Sequence, residues 1–184
     1  MTMTLSKRQS RTLSAETSTT EFESLFELHW KRLCGILLQL LGDPLEAEDL
    51  ALETFVRLYQ HPPSEGYNLG GWLYRVATNL GLNALRARRR RQHYEERAGS
   101  FAIEDNSLED PSETIERKMK QDRVRATLDS MKPRYAQVLI LRHSGLSYSE
   151  IGSAVGVAPG SVGTLLARAQ KEFQGKFELI ERKG

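Results

Sequence analysis

Residues 146–169 read LSYSEIGSAVGVAPGSVGTLLARA, two short helices joined by a tight turn. Ser147 and Glu150 stand at the S-x-x-E spacing of a capping box, in which each side chain accepts from the other residue's orphan backbone amide. Ile151, Ala154 and Val155 then form an inward face. Gly156 can adopt the positive φ that ends a helix, and Pro159 suits the first turn of the next one. In that second helix Val162, Leu165, Leu166, Ala169 and Phe173 fall on one side at 3.6-residue spacing. The opposite side carries Gly160, Thr164, Ala167 and Lys171, flanked by Ser161, Gly163 and Arg168. A face so small and polar lets a helix approach a duplex closely, as the second helix of a helix-turn-helix does in a major groove. A plain helical hairpin in an all-α core would use the same caps and the same apolar face.

The rest of the chain narrows the choice. Its 184 residues suffice for one ordinary domain or two small ones. Charged residues make up 27%, and no apolar run approaches the roughly 18 residues needed to cross a bilayer, so a cytoplasmic protein without membrane insertion is expected. The opening MTMTLSKRQSRTLSAETSTT has two Lys/Arg-containing patches but no apolar core, which argues against a secretory signal and predicts a disordered tail over 1–19. Cys34 is the only cysteine, which excludes an intrachain disulfide and any CxxC zinc site. No cofactor is expected. The histidines (His29, His61, His93, His143) are scattered, and no phosphate loop or nucleophile–base spacing stands out, so an enzyme is not predicted.

A net charge of +2 says little, but its distribution says more. Five of the six residues over 86–91 are arginine, whereas residues 104–113 (EDNSLEDPSE) hold five acids and no base. That change of sign, with Gly99, Ser100 and Pro111 nearby, predicts a flexible acidic linker over 96–111 between compact halves at 20–95 and 112–184. Both halves read as helical and no strand pattern is present, so the predicted fold is all-α.

In the first half, Phe22, Leu25, Phe26, His29, Leu33, Ile36, Leu37 and Leu40 mark a long amphipathic helix closed by Gly42. Asp43-Pro44 starts a second as N-cap and first helical residue. Its core face is predicted as Ala47, Leu50, Ala51, Thr54 and Leu58. The other face holds Asp49, Leu52, Glu53 and Val56, two aliphatics among acids, either a docking surface or scattered surface side chains. A third helix follows the loop SEGYNLGG. Its buried stripe is Leu73, Val76, Ala77, Leu80, Ala84 and Ala87, while Arg75, Asn79, Leu82 and Arg86 line the opposite side with Trp72 at the border. Arginines track phosphates, aromatics stack on unpaired bases and amides read base edges, so this face with Tyr67 and Asn68 is equipped for single-stranded DNA. Trp72 could equally be core. The arginines, including Arg86, Arg89 and Arg90, exceed what matching a helix dipole needs.

At this point LLGDPLEAEDLALETFVRLYQ followed by GGWLYRVATNLGLNALRARRRR resembles region 2 of bacterial sigma factors, and LDSMKPRYAQVLILRHSGLSYSEIGSAVGVAPGSVGTLLARAQKEF resembles region 4. The pair, in this order, is similar to the small extracytoplasmic-function (ECF) class, which keeps only these regions. The resemblance implies a specificity subunit of RNA polymerase. Residues 45–60 would dock on the clamp helices of the largest subunit through Asp49, Leu52, Glu53 and Val56. Tyr67, Asn68, Trp72, Arg75, Asn79, Arg86, Arg89 and Arg90 would engage the −10 element as a melted strand. Residues 159–173 would read the double-stranded −35 element through Gly160, Ser161, Thr164, Arg168 and Lys171, with the outer surface of region 4 on the polymerase flap.

Two positions depart from the family pattern. Gly163 cannot make a bidentate base contact, and Leu52 stands where a polar residue is common. The resemblance also implies a possible anti-sigma partner, and charge complementarity suggests that the acidic linker is an electrostatic decoy for residues 86–91. The competing reading is a stand-alone helix-turn-helix regulator binding operators as a dimer; an all-α scaffold comes after it.

Overall fold

A computed structural model describes residues 4–64, 66–98 and 111–182, which form seven helices and, among the described residues, no strand. They are α1 Thr4–Leu41, α2 Pro44–Gln60, α3 Leu69–Ala98, α4 Pro111–Ser130, α5 Pro133–His143, α6 Tyr148–Val155 and α7 Pro159–Glu181.

Helices α1, α2 and α3 pack on one another. Leu33, Ile36 and Leu37 of α1, Ala47 and Ala51 of α2, and Leu73 and Ala77 of α3 are all buried. Phe55, outside the core face predicted for α2, is buried too. It sits beside Thr54 and widens the apolar arc because an aromatic group on α1 meets it, with Phe22, Phe26 and Trp30 ring centroids at 6.1, 4.8 and 6.3 Å. The start of α2 is as the sequence predicts: Asp43 Oδ1 accepts from the amides of Leu45 (2.9 Å) and Glu46 (3.2 Å), ahead of Pro44. Helix α1 begins at Thr4, so the segment expected as a disordered tail is continuous with it. No glycine or proline precedes Gly35 to break a helix there.

The second half contains the helix-turn-helix. Both halves of the capping box are present at Ser147 and Glu150, Gly156 ends α6 at φ 71°, and Pro159 opens α7. Val162, Leu166 and Ala169 of α7 are buried with Ile151 and Ala154 of α6 and Val138 and Leu141 of α5. Helix α4 runs beside α7, with Lys176 donating to the carbonyl oxygen of Ser130 and Arg123 3.7 Å from Glu181.

The predicted linker lies largely outside the described residues, as α3 extends to Ala98 and α4 begins at Pro111. Across it the halves pack directly and share one apolar core. Helices α4, α5 and α6 all lie against α3. The line Arg75, Thr78, Leu82, Leu85, Arg86, Arg89 recurs every three or four residues along α3, with Thr78, Leu82 and Leu85 buried. Leu82, predicted on the cationic outer side, is 1% exposed. At the top of α3 a Cβ on Gly71 would stand 2.7 Å from Ser153 Cβ and 2.9 Å from its backbone carbon. Only glycine lets α3 and α6 come this close.

Candidate nucleic-acid interface

The outer face of α7 is open. Gly160, Ser161, Thr164, Ala167, Arg168 and Lys171 are all exposed, on the side away from buried Val162, Leu166 and Ala169. Gly163 is half-buried, with Tyr148 beside it. The only side chains of any length along this strip are Arg168 and Lys171, toward its C-terminal end. A backbone could approach the N-terminal turn without displacing anything.

Helix α3 presents the opposite arrangement. Its cationic and amide side chains are engaged by the second half of the same chain. Arg75 Nε–H donates to the carbonyl oxygen of Ala154 (2.5 Å), with a longer contact to that of Ser153 (3.5 Å). These carbonyls lie at the C-terminal end of α6, the negative pole of its dipole. Gln137 donates to Asn79 Oδ1 (2.7 Å) and to Thr78 Oγ1 (3.3 Å) from a nearly buried position on α5. Arg86 and Arg89 both bind Asp129 of α4, at 3.3 and 2.9 Å, and the Asp129 side chain is 11% exposed. Arg88 instead binds Glu46 (2.9 Å) and the Leu41 carbonyl oxygen (3.2 Å), within the first half. Arg90 is exposed. The acidic linker expected as a decoy for these arginines lies mostly outside the described residues; the carboxylate on Arg86 and Arg89 comes from α4.

The loop before α3 splits its two predicted readers. Tyr67 is 41% exposed, with the Arg75 guanidinium 5.7 Å from its ring centroid. Asn68 caps α3, its Oδ1 accepting from the Gly71 amide (2.7 Å). Trp72 is half-buried against the core. On α2, Leu52 is 51% and Val56 42% exposed, Asp49 is exposed, and Glu53 pairs with Arg57 at 2.6 Å. Leu45 and Tyr59 are more exposed still and were not singled out in the sequence. Leu45, Asp49, Leu52, Val56 and Tyr59 are spaced four, three, four and three residues apart, one straight stripe along α2 that the 3.5-residue period could have revealed.

One ionisable group sits in the seam between α1, α3 and α6. His29 Nδ1 lies 3.0 Å from the Tyr74 hydroxyl. Burial, with Arg32 adding to it, holds His29 below its ordinary value. Arg32 crosses to Glu150 at 2.7 Å. Burial works to raise the Glu150 carboxyl, but the Ser147 amide and hydroxyl and the Arg32 guanidinium outweigh it and hold the group below its ordinary range.

Among the described residues no helix is long and apolar enough to cross a membrane. Two family patterns match the chain in order: Sigma-70 region 2 over residues 25–91 and Sigma-70, region 4 over residues 121–172. The chain is similar to the ECF RNA polymerase sigma factor SigE of Mycolicibacterium smegmatis, 31% identical over 157 residues, covering 83% of this chain and 60% of that protein. It is 26% identical to the ECF RNA polymerase sigma factor SigW of Bacillus subtilis, over 83% of this chain and 87% of that one. With the ECF RNA polymerase sigma factor EcfG of Rhodopseudomonas palustris it shares 31% identity over 77% of this chain and 76% of the other. Among solved structures, the sigma factor RpoE in complex with the anti-sigma factor NepR from Bartonella quintana matches at TM-score 0.47 and 21% identity, over 86% of this chain and 97% of that one.

Proposed function

Because the chain belongs to the RNA polymerase sigma factors of the ECF class, we propose that it binds core RNA polymerase through α2 and directs initiation at promoters read by α3 and α7. The observation that carries this reading is the exposed stripe Leu45, Asp49, Leu52, Val56 and Tyr59 on α2. A 3.5-residue period of apolar side chains is the complement of another helix. The largest subunit's clamp helices are the docking site the class implies, with Asp49 and Glu53 setting charge register. A stand-alone operator-binding regulator has no use for this stripe.

In the same reading α7 enters the major groove of the −35 element. Ser161, Thr164, Arg168 and Lys171 supply the side-chain contacts, and the glycines allow close approach, so positioning on phosphates and DNA shape carry much of the specificity. Region 4's outer surface would meet the polymerase flap. Helix α3 holds the melted −10 strand: Arg75, Arg86, Arg89 and Arg90 on phosphates, Trp72 and Tyr67 as stacking partners, and Asn79 on a base edge. Asn68 supports this site by capping α3. The units behind this division are residues 20–95 and 112–184. The chain itself makes and breaks no bond; it positions DNA for the polymerase. A separate anti-sigma protein completes the reading as the partner that would withhold it.

The test is transcription by purified core polymerase from a pool of random promoters, with and without the chain. Start sites that appear only with the chain and share paired −35 and −10 elements are expected. No new transcripts, with the same core active on a control sigma factor, would overturn the reading and bring the operator-binding dimer forward. Asp49→Lys with Glu53→Lys should abolish capture of core polymerase in a pull-down; wild-type capture would remove α2 from the interface.

A further inference from the structure

We propose that the second half of the free chain holds α3 by offering it stand-ins for a single strand of DNA, so that without polymerase the chain can read duplex through α7 but not a melted strand through α3. The inference rests on the sigma-factor reading for which DNA element each helix serves. It goes beyond that reading in naming the groups that keep α3 occupied.

Three contacts match three features of a strand. Asp129, 11% exposed, places one carboxylate between Arg86 (3.3 Å) and Arg89 (2.9 Å), the charge-assisted arrangement a backbone phosphate would make with the same two guanidiniums. Gln137 directs a primary amide at Asn79 Oδ1 (2.7 Å), the donor an exocyclic base amine would supply. Arg75 is drawn to the carbonyl oxygens of Ala154 and Ser153, acceptors in place of phosphate oxygens. The three partners come from α4, α5 and α6. A strand and the second half therefore compete for one set of donors and acceptors.

The competition is one-sided. Gly160, Ser161, Thr164, Arg168 and Lys171 stay exposed while α3 is held. The packing also has a built-in close approach, since the glycine at 71 is what admits Ser153. Duplex capture by α7 can precede release of α3, and polymerase docking on α2 does not require either face.

The experiment uses the full-length chain without polymerase. Its probes are a labelled pool of short random single strands and a labelled random duplex. Asp129→Asn, Gln137→Ala and the double variant are compared with Glu116→Gln, which removes one charge from an exposed site on α4 outside the contact. The double variant should bind single strands about tenfold tighter, and its salt slope should steepen by about 0.7 for each arginine recovered by phosphate. Duplex affinity should stay within about twofold. Glu116→Gln should move neither slope. A double variant that remains helical by circular dichroism and binds single strands as wild type does would overturn the proposal. So would an equal gain from Glu116→Gln, because charge alone would then explain the effect. Transcription with core polymerase separates the two ideas: a silent wild type alongside a gain in the double variant removes the sigma reading and keeps the contact, and the reverse pattern does the opposite.

Discussion

Two helices in this molecule carry a face suited to DNA, and they are treated in opposite ways. The face of α7 is short-sided and open, with Gly160, Ser161 and Thr164 exposed toward its start. The face of α3 is long-sided and held, with Arg75, Asn79, Arg86 and Arg89 each bonded to the other half. The difference follows from side-chain reach. Arginine and asparagine can bond to a protein carbonyl, amide or carboxylate as readily as to a nucleotide, so a face built of them has two possible partners. A face of glycine, serine and alanine has little with which to hold its own chain. Length of side chain, more than charge, decides which reader can be occupied from within.

The largest effect should come from wedging the two halves apart. Any Cβ at Gly71 collides with Ser153 backbone, which cannot move without moving α6. Gly71→Ala is expected to cost about 1–3 kcal/mol in denaturant unfolding and to enlarge the particle in small-angle scattering. Gly81→Ala is the comparison within the first half, where a Cβ would meet only the tips of Leu40 and Leu37. It should lower stability by less and leave the scattering profile as it was. Equal profiles for Gly71→Ala and wild type would show that α6 does not hold α3 in solution, and the contrast between the two faces would be lost.

How much of this was legible in the sequence depends on what kind of contact did the work. Local chemistry was plain: Asp43-Pro44, Ser147 with Glu150, Gly156 and Pro159 each announce a helix end, and each is where it was expected. The inner and outer faces of α7 followed from its period. The packing between halves was not legible, because it is made on the polar side of α3, where Gln137, Asp129 and Arg75 look like solvated surface until a partner is known. Leu82 was the one clue, an aliphatic side chain amid the cations, now 1% exposed. Phe55 and the ends of the α2 stripe, Leu45 and Tyr59, were missed for a related reason. A projection that sorts residues into two faces does not register a third, and α2 has its aromatic contact, its aliphatic core and its outward stripe side by side.

A smaller effect separates the faces from the side of α6. Ser147 caps α6 and bonds Glu150, and so belongs to the duplex reader. Ser147→Ala should cost about 1 kcal/mol and weaken duplex binding through a loosened α6–α7 turn. Arg32→Met removes the bond from the first half to Glu150 but leaves the capping box, and should spare duplex binding. The pair is part-exposed, so its loss should cost less than about 1 kcal/mol. Duplex binding measured by anisotropy decides between them. Equal losses in both variants would mean that α6 transmits the state of one face to the other, contrary to the independence argued for α7.

The smallest expected effect is on pH, and its sign can be worked out. His29 and Glu150 both have folded values below their ordinary ones, so for each the unfolded or parted chain binds protons more readily. The stability each contributes is present in full above its ordinary value and is lost as the pH falls toward its folded value. For His29 the loss begins as the pH drops below about 6.5; for Glu150 it begins further into acid, once its carboxyl starts to titrate. The charged groups acting on the pair are Arg32 and each other, with Tyr74 beside His29. All of them lie in the seam of α1, α3 and α6, and none is on the outer face of α7. Mild acid should therefore loosen α3 first. Single-strand binding should rise from neutral toward mildly acid pH beyond what protonation of other histidines adds, and His29→Gln should remove that rise while leaving the duplex signal unchanged. If wild type and His29→Gln gain equally, the seam is not where acid acts, and the hold on α3 rests on Asp129, Gln137 and the α6 carbonyls alone.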